Sequence, residues 1–558
     1  MKELYFDLME RALSAYTDEH IARYFQDVKR DGLSEHGFPR LTANMGILLA
    51  HGRRADLRPI FLEMMEYCCR TIPTVKAAND FSVREIVCCL REIEHSGAVD
   101  AETVARWKRY LSAIDPAVCY NAFAVLPTDK VKNWALFTGV SEFFRKQAGL
   151  GGSDEFIDTQ LASQLQWLDE NGMYMDGKGE THHPIMYDIV PRGLFALLLT
   201  EGYRGRYYAD IDACLRRAGR YSLMMQSPNG EMAFGGRSNQ FVLNEPWLAV
   251  IYEYEARRYA QEGNSALAGA YKAAIRRALA VTEHWLSEKP IRHIKNRFPT
   301  ETRYGCENYA YFDKYMITVA SNLYAAYRIC DDAIPAAAEA DRQPSVWATS
   351  RHFSKLFLKA GGYGLEFELD ADPHYDAAGL GRVHRDGAPS TICLSVPCPA
   401  KPVYKIDLDA PVAVALCPVQ TRGGDWDLSA DAKTNYEVIE AFSDDCAAYA
   451  ALRVCFADGA CVQTRYAVSA GGVRIEATGE NDVSYMLPAL YFDGEQYAGI
   501  ELAENELRVF YGGWLCRYVA DGVIRDTGKL GANRNGHYRA YMAQAKRKLH
   551  IRIEIVRL

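Results

Sequence analysis

The chain has no long hydrophobic run. No stretch of its 558 residues approaches the roughly 18 apolar residues that a membrane-spanning helix needs. Positive charge is not in excess: 64 Lys and Arg stand against 72 Asp and Glu, a net charge of −8. With no basic stripe and no nucleic-acid motif, a duplex-binding protein is not expected. Fifteen cysteines, an odd number, include no CxxC pair. Cys68, Cys69, Cys88, Cys89, Cys446 and Cys455 lie in apolar stretches, which predicts buried free thiols in a reducing cytoplasm. The first ten residues have no apolar core with a small-residue cleavage site. Acidic residues break them, so they read as an amphipathic helix and not as a secretory signal. His374 and His384 could hold a structural metal with a carboxylate, but their spacing is no metal signature. No metal and no other cofactor is expected. Strict internal repeats are missing too, which argues against a solenoid of identical units.

What is present is a globular composition, 49% hydrophobic and 24% charged, in a chain too long for one ordinary core. Residues 1–335 are helix-patterned. Apolar residues recur at spacings of three and four over 41–50, 59–70, 82–96, 101–112, 133–147, 154–168, 188–201, 208–225, 241–260, 264–287 and 309–329. Gly and Pro mark joints at 149–152, 227–230 and 298–299. About a dozen helices with modest loops predict stacked antiparallel helix pairs. Residues 336–360 read as an Ala- and Asp-rich linker followed by a transition helix near 346–360. Beyond 361 short runs alternate apolar and polar, as at 364–369, 390–396, 449–456, 462–468, 472–477, 506–511 and 550–555. Period two between turn residues predicts an antiparallel β-sandwich over 361–558.

Three polar clusters stand beside apolar helical patterns: Lys132-Asn133-Trp134, the stretch from Glu180 to Asp188, and the stretch from Phe234 to Gln240. Together they supply an amide, imidazoles, a phenol and a guanidinium. These are the parts needed to remove a proton beside a carboxylate and expel a leaving group, as in β-elimination at a uronic acid. The carboxylate must be neutralised, a base must take the proton, and an acid must protonate the departing oxygen. Asn133 and Arg237 suit the first need, His183 the second and Tyr187 the third. Pro184 would fit the first turn of a helix carrying Tyr187. Each residue also has a plainer role open to it. Asn133 could cap the following helix, one of His182 and His183 could hold a loop, and Tyr187 is one of 35 tyrosines. Arg192 could be an ordinary ion-pair residue. Arg237, behind Gly235-Gly236 and before Ser238-Asn239-Gln240, is the hardest to explain by packing.

The order of these clusters resembles that of the helical-toroid polysaccharide lyases, which include hyaluronate/chondroitin, oligoalginate and heparinase II/III-like enzymes. Asn133-Trp134 resembles their Asn-Trp motif. Asp176-Gly177 with His183 and Tyr187 resembles their Asp-Gly…His…Tyr segment, although the His-to-Tyr spacing is shorter here. Gly236-Arg237-Ser238 resembles their Gly-Arg-Ser or Gly-Arg-Ala segment. The resemblance implies an N-terminal (α/α) toroid followed by a C-terminal antiparallel β-sandwich, and a uronate-containing oligosaccharide as the partner, with no nucleic acid and no membrane. Exo action on imported short oligomers would suit a cytoplasmic location.

Other residues complete the candidate set. Trp134, His182, Asn239 and Glu245 lie in or beside the clusters. A polar-aromatic stretch from Arg303 to Lys314 offers Tyr304, Glu307 and Asn308 to a sugar's faces and hydroxyls. In the β half, Pro373-His374-Tyr375 and the stretch from Gly381 to Gly387 stand out, and His384 and Arg385 could reach a toroid cleft. Two other function classes stay open. A glycoside hydrolase of the same fold would use two carboxylates from Asp176, Glu180, Asp188, Glu245, Glu307 and Asp313. A non-catalytic sugar binder would need only an aromatic cleft. A lyase requires His183, Tyr187 and Arg237 to converge; a hydrolase requires two carboxylates facing each other across a sugar ring.

Overall fold

A computed structural model describes residues 1–126, 133–177, 179, 181–337, 343–422, 425–428 and 436–558. Among these, fourteen α-helices precede the first strand. Six form a closed ring: Gly37–Ala50, Val83–Ser96, Trp134–Gln147, Ile185–Thr200, Asn244–Gln261 and Phe312–Ile329. Each packs on the next, and the last packs on the first. Burial on all sides is what their sequences require. Every residue from Gly37 to Leu49 is buried, and small residues sit where helices touch. A Cβ on Gly46 would lie 2.3 Å from Cys89 Sγ, and one on Gly193 would lie 2.5 Å from the Trp247 ring. Outer helices such as Arg58–Thr71, Asp154–Leu165, Tyr208–Met225 and Ser265–Ser287 pack against this ring. The Ser153 hydroxyl and Asn264 carbonyl oxygen cap the second and fourth of these by accepting a backbone N–H.

Inner and outer helices alternate along the chain, so the inner helices run in one direction. Their N-terminal ends meet: Phe81 lies edge-on to Trp134 at 4.7 Å, and Tyr187 and Tyr315 both reach Ser238. The α/α toroid read from the resemblance is therefore the fold of the helical half. Among the described residues, no helix is long and apolar enough to cross a membrane.

The β half is a sandwich of two antiparallel sheets. Ser345–Ala348, Lys355–Ala360, Tyr363–Glu368 and Gly379–Arg385 make a four-stranded sheet in that order. An eleven-stranded sheet is centred on two 21-residue strands, Gly472–Phe492 and His537–Arg557. Their pairing shifts register between Thr478 and Asp482, a bulge that lets long strands bend over the core. The smaller sheet is a middle layer. Leu356, Leu358 and Phe367 join the β core, while Phe353 and Phe357 join the helical core.

Three expectations are corrected here. The run at 390–396, expected as a strand, forms only an isolated bridge between Leu394 and Val383. The transition helix expected near 346–360 is two antiparallel strands, paired from Ser345 with Lys359 to Ala348 with Leu356. Burial on both faces of the second strand (Lys355–Ala360) erased the alternation that would have marked it. The cysteines are not all free thiols. Cys455 and Cys461 face each other on neighbouring strands as a disulfide, and Cys446 is exposed.

Candidate active site

Loops preceding the inner helices gather polar side chains at one end of the ring, under the β half. Lys132 and Glu180 lie outside the described residues. Asn133 occupies the N-cap position of helix Trp134–Gln147, yet its side chain caps nothing. Its Nδ2 donates instead to Asp176 Oδ1 at 3.2 Å. The Arg237 guanidinium donates to Asp176 Oδ2 and lies 4.3 Å over the Tyr187 ring. Burial pushes the Asp176 carboxyl above the usual carboxylate range, and the charge and hydrogen bond of Arg237 work against that rise.

His183 stands just before helix Ile185–Thr200, where Pro184 is the N-cap and not a first-turn residue. Its Nε2 lies 2.8 Å from the Gly179 carbonyl. A carbonyl only accepts, so Nε2 carries the proton of the neutral ring and Nδ1 keeps a lone pair. Burial lowers its pKa from 6.5, while the Gly179 carbonyl and the Asp176 charge raise it. Tyr187 lies in the first turn of the same helix. Asn133, Tyr187 and Arg237 thus surround Asp176 by direct or shared contact, and His183 lies within its electrostatic reach. Helix N-termini pointing at this end add partial positive charge, which favours an anionic ligand.

The loop bearing Arg237 is pinned by three buried carboxylates at alternate residues. Phe234 N donates to Glu366 Oε1 at 3.0 Å, Gly236 N to Asp376 Oδ2 at 3.1 Å, and Ser238 N to Glu307 Oε1 at 2.7 Å. Gly236 has φ +68°, and a Cβ there would lie 2.8 Å from the Pro184 side chain. Glycine is therefore required for the loop to approach the helix. Ser238, at φ +57°, puts its hydroxyl among Tyr187, Tyr309 and Tyr315.

No family model matches the chain, and no curated protein matches it. Solved structures do resemble it. A heparan sulfate lyase from Pedobacter heparinus has 8% identity and a TM-score of 0.49, covering 94% of this chain and 76% of its own. The baculovirus envelope protein ODV-E66, a chondroitin lyase, has 9% identity and a TM-score of 0.43 over 92% of this chain and 76% of its own. A family 88 glycosyl hydrolase from Bacteroides vulgatus has 11% identity and a TM-score of 0.36 over 59% of this chain and 99% of its own.

Several residues named from sequence lie elsewhere or serve the scaffold. Trp134 packs against Phe81 near the site, and His182 is exposed, 3.8 Å from Asp370. Asn239 is buried and donates to the Ala233 carbonyl. Glu245, fully buried, accepts from Lys295 at 2.7 Å and from Met232 N. Tyr304 stacks on Phe298 at 3.5 Å, inside the interface of the two halves. Glu307 is forked by Arg534 at 2.5 and 3.0 Å, so it anchors the Arg237 loop and is not presented to a ligand. Asn308 is exposed, and its carbonyl accepts from Arg303. His384 is buried with neither ring nitrogen hydrogen-bonded among the described residues, and burial lowers its pKa to about 3. Arg385 turns to the Tyr363 ring and the Gly361 carbonyl.

The β half holds the Arg237 loop through Asp376. Tyr375 precedes Asp376, which binds Gly236 N, and is close enough to Glu307, Arg534 and Arg237 to feel their charges. Its sequence signal was the Pro373-His374-Tyr375 run. Nothing in that run distinguished Tyr375 from His374, which is exposed and hydrogen-bonded to Asp372.

Proposed function

We propose that this protein cleaves uronate-containing oligosaccharides by β-elimination. The observation that carries the reading is the grip of Asn133 and Arg237 on one carboxylate. An amide N–H on one oxygen and a guanidinium on the other is the environment that makes the proton beside a uronate carboxylate acidic. Here Asp176 fills that grip. A substrate carboxylate would use the same two donors. His183 Nδ1 would take the ring proton, and Tyr187 would protonate the departing glycosidic oxygen. The Arg237 guanidinium lies over the Tyr187 ring and holds it against the site.

Hydrolysis would need two carboxyl groups facing a sugar from opposite sides. The described candidates have other engagements. Asp188 is forked by Arg192 in the core, Glu245 holds Lys295, Glu307 holds Arg534, and Asp313 Oδ1 lies 2.8 Å from His20 Nε2. Asp176 is engaged by Asn133 and Arg237.

The test is to incubate the protein with uronate oligosaccharides and follow ultraviolet absorbance of the unsaturated uronate alongside new reducing ends. Elimination gives equal growth of both, and His183→Ala abolishes both while leaving the melting temperature unchanged. Reducing ends without absorbance would mean hydrolysis and sink the reading.

A further inference from the structure

Three phenols meet at Ser238. Its Oγ lies 3.4 Å from the Tyr187 hydroxyl, 3.2 Å from that of Tyr309 and 3.1 Å from that of Tyr315. A hydroxyl has one proton to donate and two lone pairs to accept with. Donating to Tyr187 and accepting from the other two saturates it. In that arrangement Tyr187 receives a hydrogen bond on its oxygen, which leaves its own proton for another acceptor.

The hub is rigidly built. Ser238 N donates to Glu307, and the Ser238 carbonyl accepts from Asn244 Nδ2 at 3.1 Å. The left-handed backbone at φ +57° is one that serine adopts at some cost, so the surroundings must enforce it. The two remote phenols differ. Tyr315 packs on Phe241 at 4.6 Å between ring centroids, whereas Tyr309 is 42% exposed and opens to solvent.

We propose that Ser238 is a proton relay that recharges Tyr187 from Tyr309. This rests on the elimination reading, in which Tyr187 is the acid. When Tyr187 gives its proton to the departing glycosidic oxygen, the Ser238 O–H passes its proton to the Tyr187 oxygen. Ser238 takes the proton of Tyr309 in the same motion, and water reprotonates Tyr309. At Ser238 one O–H bond breaks as another forms. The net change is one proton moved from solvent to the leaving group, with no change of oxidation state. Ser238 acts through Tyr187 and touches no substrate atom, so it is a positioning and relay residue.

The experiment uses the full-length protein and the variants Ser238→Ala, Ser238→Gly and Tyr309→Phe. Glycine accepts φ +57° without strain, so Ser238→Gly separates loss of the hydroxyl from a folding defect. For each protein, kcat, KM and the solvent deuterium effect are measured across mixtures of light and heavy water. Two substrates are compared: a natural uronate oligosaccharide, and a uronate whose leaving group at the same carbon is dinitrophenolate, which departs without a proton. The relay requires kcat on the natural substrate to fall roughly 10- to 100-fold in all three variants. KM should stay within about twofold. A curved dependence on deuterium fraction in the wild type should become linear, and the deficit should vanish with dinitrophenolate. Wild-type kcat and a curved dependence in Ser238→Gly would overturn the relay. So would an equal deficit on both substrates, which marks a merely structural role. Failure of the wild type to form an unsaturated uronate would overturn the elimination reading, and the relay with it. That outcome is read on the wild type alone.

Discussion

Burial makes the His183 ring harder to protonate, while the Asp176 charge makes it easier. A base works only when neutral, and the net shift is downward from 6.5. The acid limb of kcat/KM is therefore expected below pH 6.5, with activity falling as pH drops through the His183 pKa. Asp176→Asn removes the charge that favours the imidazolium. That limb should then move further down in pH, whatever happens to the plateau. A pH–rate profile of the two proteins checks this, and an upward move would show that His183 is not the group that titrates. The same scale shows what could be read in advance. Asn133, His183, Tyr187 and Arg237 were named from their chemical types and their order along the chain, and the structure brings Asn133, Tyr187 and Arg237 around Asp176. Tyr304 shares the type of Tyr187, and Glu245 and Glu307 have the type a hydrolase would use, but packing or buried ion pairs engage all three. Nothing in a residue's type tells a carboxylate facing a ligand from one neutralising Lys295 or Arg534.

The Arg237 loop is an element whose shape comes from elsewhere in the chain. Its Gly235-Gly236 pair announced a tight turn. The three carboxylates that pin it come from 69 to 140 residues away, a distance that local pattern does not span. Asp376→Ala removes the acceptor for Gly236 N, so the guanidinium one residue on loses its fixed aim. Positioning errors of this kind act on rate as well as binding. We expect kcat to fall roughly 10-fold or more and KM to rise, with the helical signal in circular dichroism unchanged. Wild-type kinetics in this variant would mean that Glu366 and Glu307 suffice to hold the loop. Helices were legible because apolar residues recur at spacings of three and four, and strands of the larger sheet such as Cys461–Ser469 were legible because one face is wet. Strand Lys355–Ala360 was not, because the toroid lies on one face and the larger sheet on the other.

The two halves meet through charge as much as through apolar surface. Arg534 of the β half forks Glu307, and Arg382 donates to the Met232 carbonyl. Lys355 pairs with Glu368 at 2.7 Å and lies 3.4 Å from Glu366, over the Phe234 ring. The Arg534–Glu307 pair, buried across the joint, makes separation costly, since either half alone would expose or strand its charge. The protein should therefore unfold in one calorimetric transition. Its pH dependence follows from three buried carboxylates, one lowered and two raised. Burial, opposed by Lys355 and reinforced by Asp376, raises Glu368 from 4.5 to about 8. Between those values the folded protein holds a proton that the unfolded chain has released, so stability falls as pH rises through this window. Glu231 is lowered from 4.5 to about 2, against the cost of burial, by the charges of Lys295 and Arg382. Its stabilisation is present above 4.5 and is lost as pH falls toward 2. Glu255, also raised to about 8 by burial, adds to the alkaline fall. Glu368→Gln removes one of these two groups, so its melting temperature should decline less than the wild type's between pH 4.5 and about 8. Parallel declines would mean that Glu368 stays ionised beside Lys355 throughout, and that the joint does not sense pH at this point.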